Sequence, residues 1–150
     1  MKARDLMRPV AVLQGDDPAE NLIRVFGRPN LRAVAVVSEE GKPLGIVTDE
    51  DLLIALLPSY VRDDPLLARV FDEDAAWELC RRLEGKLVTS VVPLRGGQQS
   101  PVSPDDAVVE VISSMVRTGG PACLVVQDDL VLGVITVDDL LPALLVRHPS

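Results

Sequence analysis

Gly45-Ile46-Val47-Thr48-Asp49-Glu50-Asp51-Leu52-Leu53 returns 88 residues later as Gly133-Val134-Ile135-Thr136-Val137-Asp138-Asp139-Leu140-Leu141. Five of the nine positions are identical, and two more only exchange Ile and Val. Each copy reads as a glycine, a short β-branched strand, a threonine and an acidic helix start before leucines. β-Branched residues suit a pleated surface, while Thr and Asp suit the cap and first turn of a helix. One such stretch is commonplace. Two in one chain are an internal duplication, and the duplication sets the fold class: mixed α+β, in two tandem units.

Upstream of each copy the same elements recur in the same order. Met7-Arg8-Pro9-Val10-Ala11-Val12 is an extended opener, followed by a turn at Gly15-Asp16-Asp17-Pro18. Asp17 is the expected N-cap and Pro18 the first helical residue of an amphipathic stripe, Ala19, Leu22, Ile23 and Phe26. Gly27 to Asn30 end that helix. Ala33 to Val37 is a continuous apolar strand, expected to be buried on both faces. A hairpin turn at Glu39-Glu40-Gly41-Lys42 leads into the repeated stretch, and Pro58 stops the helix that follows.

Residues 105–126 match residues 16–37 at a constant offset of 89, with Arg117 opposite Arg28. Val108, Val111, Ile112 and Met115 form the second helical stripe, Ala122 to Val126 the second buried strand, and Asp128-Asp129 a tighter turn. Each repeat is therefore strand, helix, strand, strand, helix. The organisation expected is a first repeat over 1–58, a helical insert over 59–89 and a second repeat over 90–150.

The insert offers helix starts at Asp63-Asp64-Pro65 and Asp72-Glu73-Asp74, then Ala75, Ala76, Leu79, Cys80 and Leu83 at helical spacing. It reads as a packing or partner surface, with Trp77 expected in the core rather than at an interface. Cys80 and Cys123 have no metal-ligand spacing, and both are expected to be buried, reduced thiols. After the insert, Pro93 to Pro101 is a glycine-rich polar loop.

Composition narrows the function. The formal charge is −8, opposed to the basic face that nucleic acid requires. The longest apolar run is Leu52 to Leu57, too short for direct membrane insertion. The first residues lack the apolar stretch of a signal peptide, so a cytoplasmic setting is expected. A single histidine, His148, leaves no basis for a Ser-His-Asp or two-histidine zinc arrangement, and no glycine-rich phosphate motif occurs. No catalytic role is expected. The paired acids at Asp49, Glu50 and Asp51 and at Asp138 and Asp139 are accounted for by the helix macrodipole.

The duplicated G-h-h-T-x-x-D, carried by Gly45, Thr48 and Asp51 and by Gly133, Thr136 and Asp139, resembles the tandem CBS-domain pair, or Bateman module. The likeness spans essentially the whole chain outside the insert. It implies two βαββα repeats about an approximate twofold axis and a regulatory module with clefts for AMP, ADP, ATP or S-adenosylmethionine. By that resemblance Thr48, Asp51, Thr136 and Asp139 contact ribose, while the openers near Val10 and near Val92-Pro93 flank the adenine slots. Arg32, directly before the buried strand, would face phosphate.

The chemistry is reasonable, since a carboxylate accepts ribose hydroxyls and a helix N-terminus favours anionic groups. A second reading stands beside it: Thr-x-x-Asp at a helix start is also a cap that needs no ligand. Arg32 aligns with Pro121, so the two clefts are expected to be unequal. Arg4, Arg8 and Arg95 are the substitute cations, each alone readable as a solvated surface group.

Two functions follow. One is a sensor of an adenine-containing ligand; the other is a dimerisation scaffold with vestigial clefts. Leu52, Leu53, Leu56, Leu57, Leu140, Leu141, Leu144 and Leu145 supply apolar stripes on the helices through which such modules commonly form homodimers. An effector protein, or an effector domain on a longer chain, completes the expected partners.

Overall fold

The computed structural model of the protein describes residues 1–71, 74–94 and 101–147. Arg95, His148, Asp72, Glu73 and most of the 93–101 loop lie outside them. A short helix, Ala3–Leu6 (α1), precedes Ala11–Gln14 (β1), Glu20–Phe26 (α2), Ala33–Val37 (β2), Pro43–Thr48 (β3) and Asp49–Leu56 (α3). β1 runs parallel to β2, and β2 pairs antiparallel with β3. The insert contributes Ser59–Asp63 (α4), a 3-10 turn at Pro65–Val70 and Ala75–Arg81 (α5). Val88–Val91 (α6), Val108–Thr118 (α7), Ala122–Gln127 (β4), Leu130–Thr136 (β5) and Val137–Arg147 (α8) follow, with β4 antiparallel to β5.

The alternation of side chains along the strands builds three apolar layers. From β2, Val34 and Val36 face the helices of the first repeat beside Leu22, Val47 and Leu52. From β4, Cys123 and Val125 do the same in the second repeat with Val111, Ile135 and Leu140. The opposite faces meet in a middle layer, half of it alanine: Ala33, Ala35, Ile46, Ala122, Leu124 and Val134. All five residues of β2 are buried, as a strand covered on both sides requires. Alanine in the middle layer lets the sheets approach closely.

Each repeat is completed by the other's leading helix. Ala3 and Leu6 of α1 are buried in the outer core of the second repeat, and Val88 of α6 in that of the first. The hydrogen bonds are equivalent: Ala3 N–H donates to Asp106 O (2.9 Å), and Val88 N–H to Asp17 O (3.0 Å). Arg4 N–H donates to Pro104 O, and Thr89 N–H to Gly15 O. A pseudo-twofold relation is thus written in backbone contacts. The α6 helix straddles the expected boundary at 89.

The opener expected at Val92-Pro93 starts with extended backbone at Val92, and residues 95–100, which follow it, lie outside the described ones. Val92 follows α6 and is buried in the helix-side core of the first repeat. Among the described residues the parallel edge of the second sheet is one bridge, Val102 to Val125, matching Leu13 to Val36 in the first. Asp17 does not cap α2. Its carboxylate accepts from Gln14 N–H (2.8 Å) to close the preceding turn, and α2 starts at Glu20.

The insert departs from expectation in its exposure. Trp77 is 61% exposed, with Arg81 over its ring at 5.9 Å, and Cys80 is also exposed. α5 lies on the surface and touches the core along one line: Ala75 is buried, Leu79 half-buried, and Leu83 beyond the helix buried. Residues 76, 77 and 80 turn outward, because a helix laid over one neighbour needs only a narrow stripe. Cys123 is buried as expected, and desolvation pushes its thiol up from 9.0 to about 12.

Candidate functional site

The strand-to-helix junctions place both Thr-x-x-Asp motifs at helix starts. Thr48 N–H donates to the Asp51 carboxylate (3.0 Å), and Asp51 N–H donates to the Thr48 hydroxyl (3.2 Å). This is a reciprocal capping box in which Asp replaces the usual Glu. Both residues are buried, Asp51 to 2% exposure.

The second motif differs. Thr136 N–H and the Thr136 hydroxyl both donate to one Asp139 oxygen, at 3.0 and 2.9 Å. The other oxygen meets Arg8 Nε at 2.8 Å, and the Asp139 side chain is 14% exposed. Arg8 is brought there by backbone pairing: Arg8 and Val134 exchange two N–H···O bonds of 2.9 Å. This close approach explains the motif glycine, since a Cβ on Gly133 would stand 2.6 Å from Arg8 O.

Arg32 leaves the start of β2 and reaches both helix starts. Its Nε lies 3.1 Å from Asp49 and its Nη1 3.5 Å from Asp138. Asp49 N–H donates to Arg32 O (3.1 Å), and Val137 N–H to Pro121 O (2.9 Å), so Arg32 and Pro121 are equivalent positions.

Two cavities flank this arginine. One, of about 230 Å³, is lined by Arg8, Pro9, Asn30, Leu31, Arg32, Ala33, Val134 and Thr136. The other, of about 240 Å³, is lined by Arg32, Pro121, Thr136, Val137 and Asp138. Thr136 belongs to both.

A profile of the CBS domain matches residues 3–58 and 100–146. The chain belongs to the CBS-domain family. It is similar to the crystal structure of a CBS domain-containing protein of unknown function from Kribbella flavida, with 32% identity and a TM-score of 0.78 over 97% of this chain and 99% of that one. The fold is also shared with CBSX2 of Arabidopsis thaliana, whose complex with AMP superposes with a TM-score of 0.66 at 16% identity, covering 98% of each chain. The CBS pair of protein MJ0100, solved with 5′-methylthioadenosine and S-adenosyl-L-methionine, gives a TM-score of 0.66 at 17% identity over 99% and 98% of the two chains. A search of curated proteins found no match.

Of the residues singled out from sequence, Thr136 and Arg32 line both cavities, and Asp139 stands behind them through its bonds to Thr136 and Arg8. Thr48 and Asp51 occupy the corresponding junction of the first repeat. Val10 packs against the middle layer, Val92 lies in the helix-side core and Pro93 is exposed. Arg4 pairs with Asp105, on the surface where α1 docks. Leu31 carried no signal in the sequence, and Asn30, Pro9 and Val134 only a structural one, because these residues become cavity walls only when a loop of one repeat meets a strand of the other. Among the described residues, no helix is long and apolar enough to cross a membrane.

Proposed function

We propose that this protein is a regulatory CBS pair that binds an adenine-containing ligand in the cleft at Thr136 and Asp139. The observation that carries the reading is a partly exposed carboxylate and a threonine hydroxyl beside a cavity walled by Pro9, Leu31, Ala33 and Val134. Asp139 accepts ribose hydroxyls, giving up or sharing its bond to Arg8. The base enters the apolar walls, and the 5′ substituent extends past Arg32 into the second cavity. Each cavity alone is smaller than the roughly 300 Å³ at which ordinary ligand sites begin, so the ligand spans both. Thr48 and Asp51 act chiefly as a helix cap. The neighbours solved with AMP, 5′-methylthioadenosine and S-adenosyl-L-methionine support the ligand class.

A homodimer fits the same reading. Leu53 and Ile54 of α3 and Leu141, Leu145 and Val146 of α8 are exposed on the helices that follow the motifs. The scaffold alternative, with vestigial clefts, draws on that surface alone. In the sensor reading, a cytoplasmic effector protein or linked domain receives the signal, and occupancy transmits no more free energy than the ligand's differential affinity for two states.

Thermal shift with AMP, ADP, ATP, NAD and S-adenosylmethionine, and GTP as control, tests the choice. A ligand at about a hundred times its Kd adds roughly 2.7 kcal/mol, which raises Tm by about 5–10 °C for a chain of this size. A shift with an adenine ligand and none with GTP supports the sensor. No shift with any compound favours the scaffold.

A further inference from the structure

The arginines of this cleft already have carboxylate partners. Arg8 is held by Asp139, and Arg32 lies between Asp49 and Asp138, so two guanidinium groups face three carboxylates. Among the described residues the two cavity linings contain no other cation, and the whole chain carries a net charge of −8. The second cavity holds Asp138 directly on its wall beside Arg32. A phosphate placed there would compete with Asp49 and Asp138 for Arg32 and face their like charge. A neutral 5′ substituent meets no such opposition, and a cationic one gains Asp138 as a counter-ion.

We propose that Asp49 and Asp138 are specificity-determining residues that keep Arg32 from phosphate, so that the cleft selects a neutral or cationic adenine nucleoside over nucleotides. This rests on the adenine-binding reading above and deepens it. Rejection comes from a repulsive element, the like charge of the two carboxylates, as well as from an attraction shared with them. The sulfonium of S-adenosylmethionine carries the charge this cavity accommodates, and adenosine carries none to oppose.

The test is calorimetric titration of the intact protein with adenosine, S-adenosylmethionine, AMP and ATP, repeated on Asp49→Asn/Asp138→Asn. Both aspartates are substantially exposed and neither side chain is part of a core, so the variant is expected to fold. Wild type should bind adenosine or S-adenosylmethionine at least about tenfold more tightly than ATP, with AMP weaker than adenosine. In the double variant the AMP-to-adenosine affinity ratio should rise about tenfold, and this gain should fade with added salt. Tighter binding of AMP or ATP than of adenosine by the wild type, or an unchanged ratio in the variant, overturns the selectivity while leaving adenine recognition intact. Binding of none of the four overturns both.

Discussion

In the first repeat Asp51 closes a capping box with Thr48 and is almost wholly buried. In the second, Asp139 caps Thr136 and also holds Arg8 beside a cavity. The sequence motif is the same, and so is the backbone event it performs, the start of a helix. What differs is exposure: Asp51 is closed off, while the Asp139 side chain is 14% exposed beside a cavity and meets Arg8. Arg8 arrives in the second because the N-terminal segment pairs with β5 across a glycine. A duplicated motif therefore keeps its structural duty in both copies, while its openness to a ligand differs between them.

The largest expected effect is on the buried copy. Asp51→Ala leaves the Thr48 N–H unpaired in a dry junction and should cost about 1–3 kcal/mol, read as a lower Tm or urea midpoint. Asp139→Ala, at a wetter junction, should cost only about 0.5–2 kcal/mol. Equal or inverted losses would break the distinction between cap and site.

Gly133→Ala attacks the device that brings Arg8 to Asp139. The added methyl group meets the Arg8 carbonyl, so a loss of about 1–3 kcal/mol is expected, with weakened ligand binding. Unchanged stability would mean that the N-terminal segment yields easily and that the Arg8 contact is incidental.

The smallest effect compares equivalent strand positions. Cys123 occupies the slot that Val34 fills in the first repeat, and both are buried. Cys123→Val should change stability by less than about 1.5 kcal/mol at neutral pH. The raised thiol pKa makes the difference depend on pH. Below 9 both states keep the proton and nothing is lost. From 9 toward about 12 the unfolded chain releases the proton while the folded chain retains it, so wild type loses stability that Cys123→Val keeps. Parallel pH curves for the two proteins would contradict the buried environment assigned to this thiol.

The duplication was legible because strand and helix periods are local, and both repeats write them plainly around Gly45 and Gly133. The motif residues and Arg32 were legible too, since they stand at strand–helix junctions that the pattern marks. Contacts between the repeats were not. The α1 and α6 helices are four residues each and take their stability from the other repeat's core, so no local periodicity announces them. Asp49 and Asp138 read as ordinary first-turn acids, and their shared hold on Arg32 exists only after the repeats come together. Trp77 and Cys80 were misplaced because helical spacing shows that a face exists without showing how much of it a neighbour covers.

The most direct test is a calorimetric titration with adenosine and S-adenosylmethionine on wild type, Asp51→Asn and Asp139→Asn. Asparagine preserves an oxygen for the cap and removes the charge, and melting curves check that each variant is folded. The account predicts a single site per chain, retained in Asp51→Asn and weakened by about tenfold or more in Asp139→Asn. Retention in Asp139→Asn with loss in Asp51→Asn would place the ligand in the other repeat and contradict it.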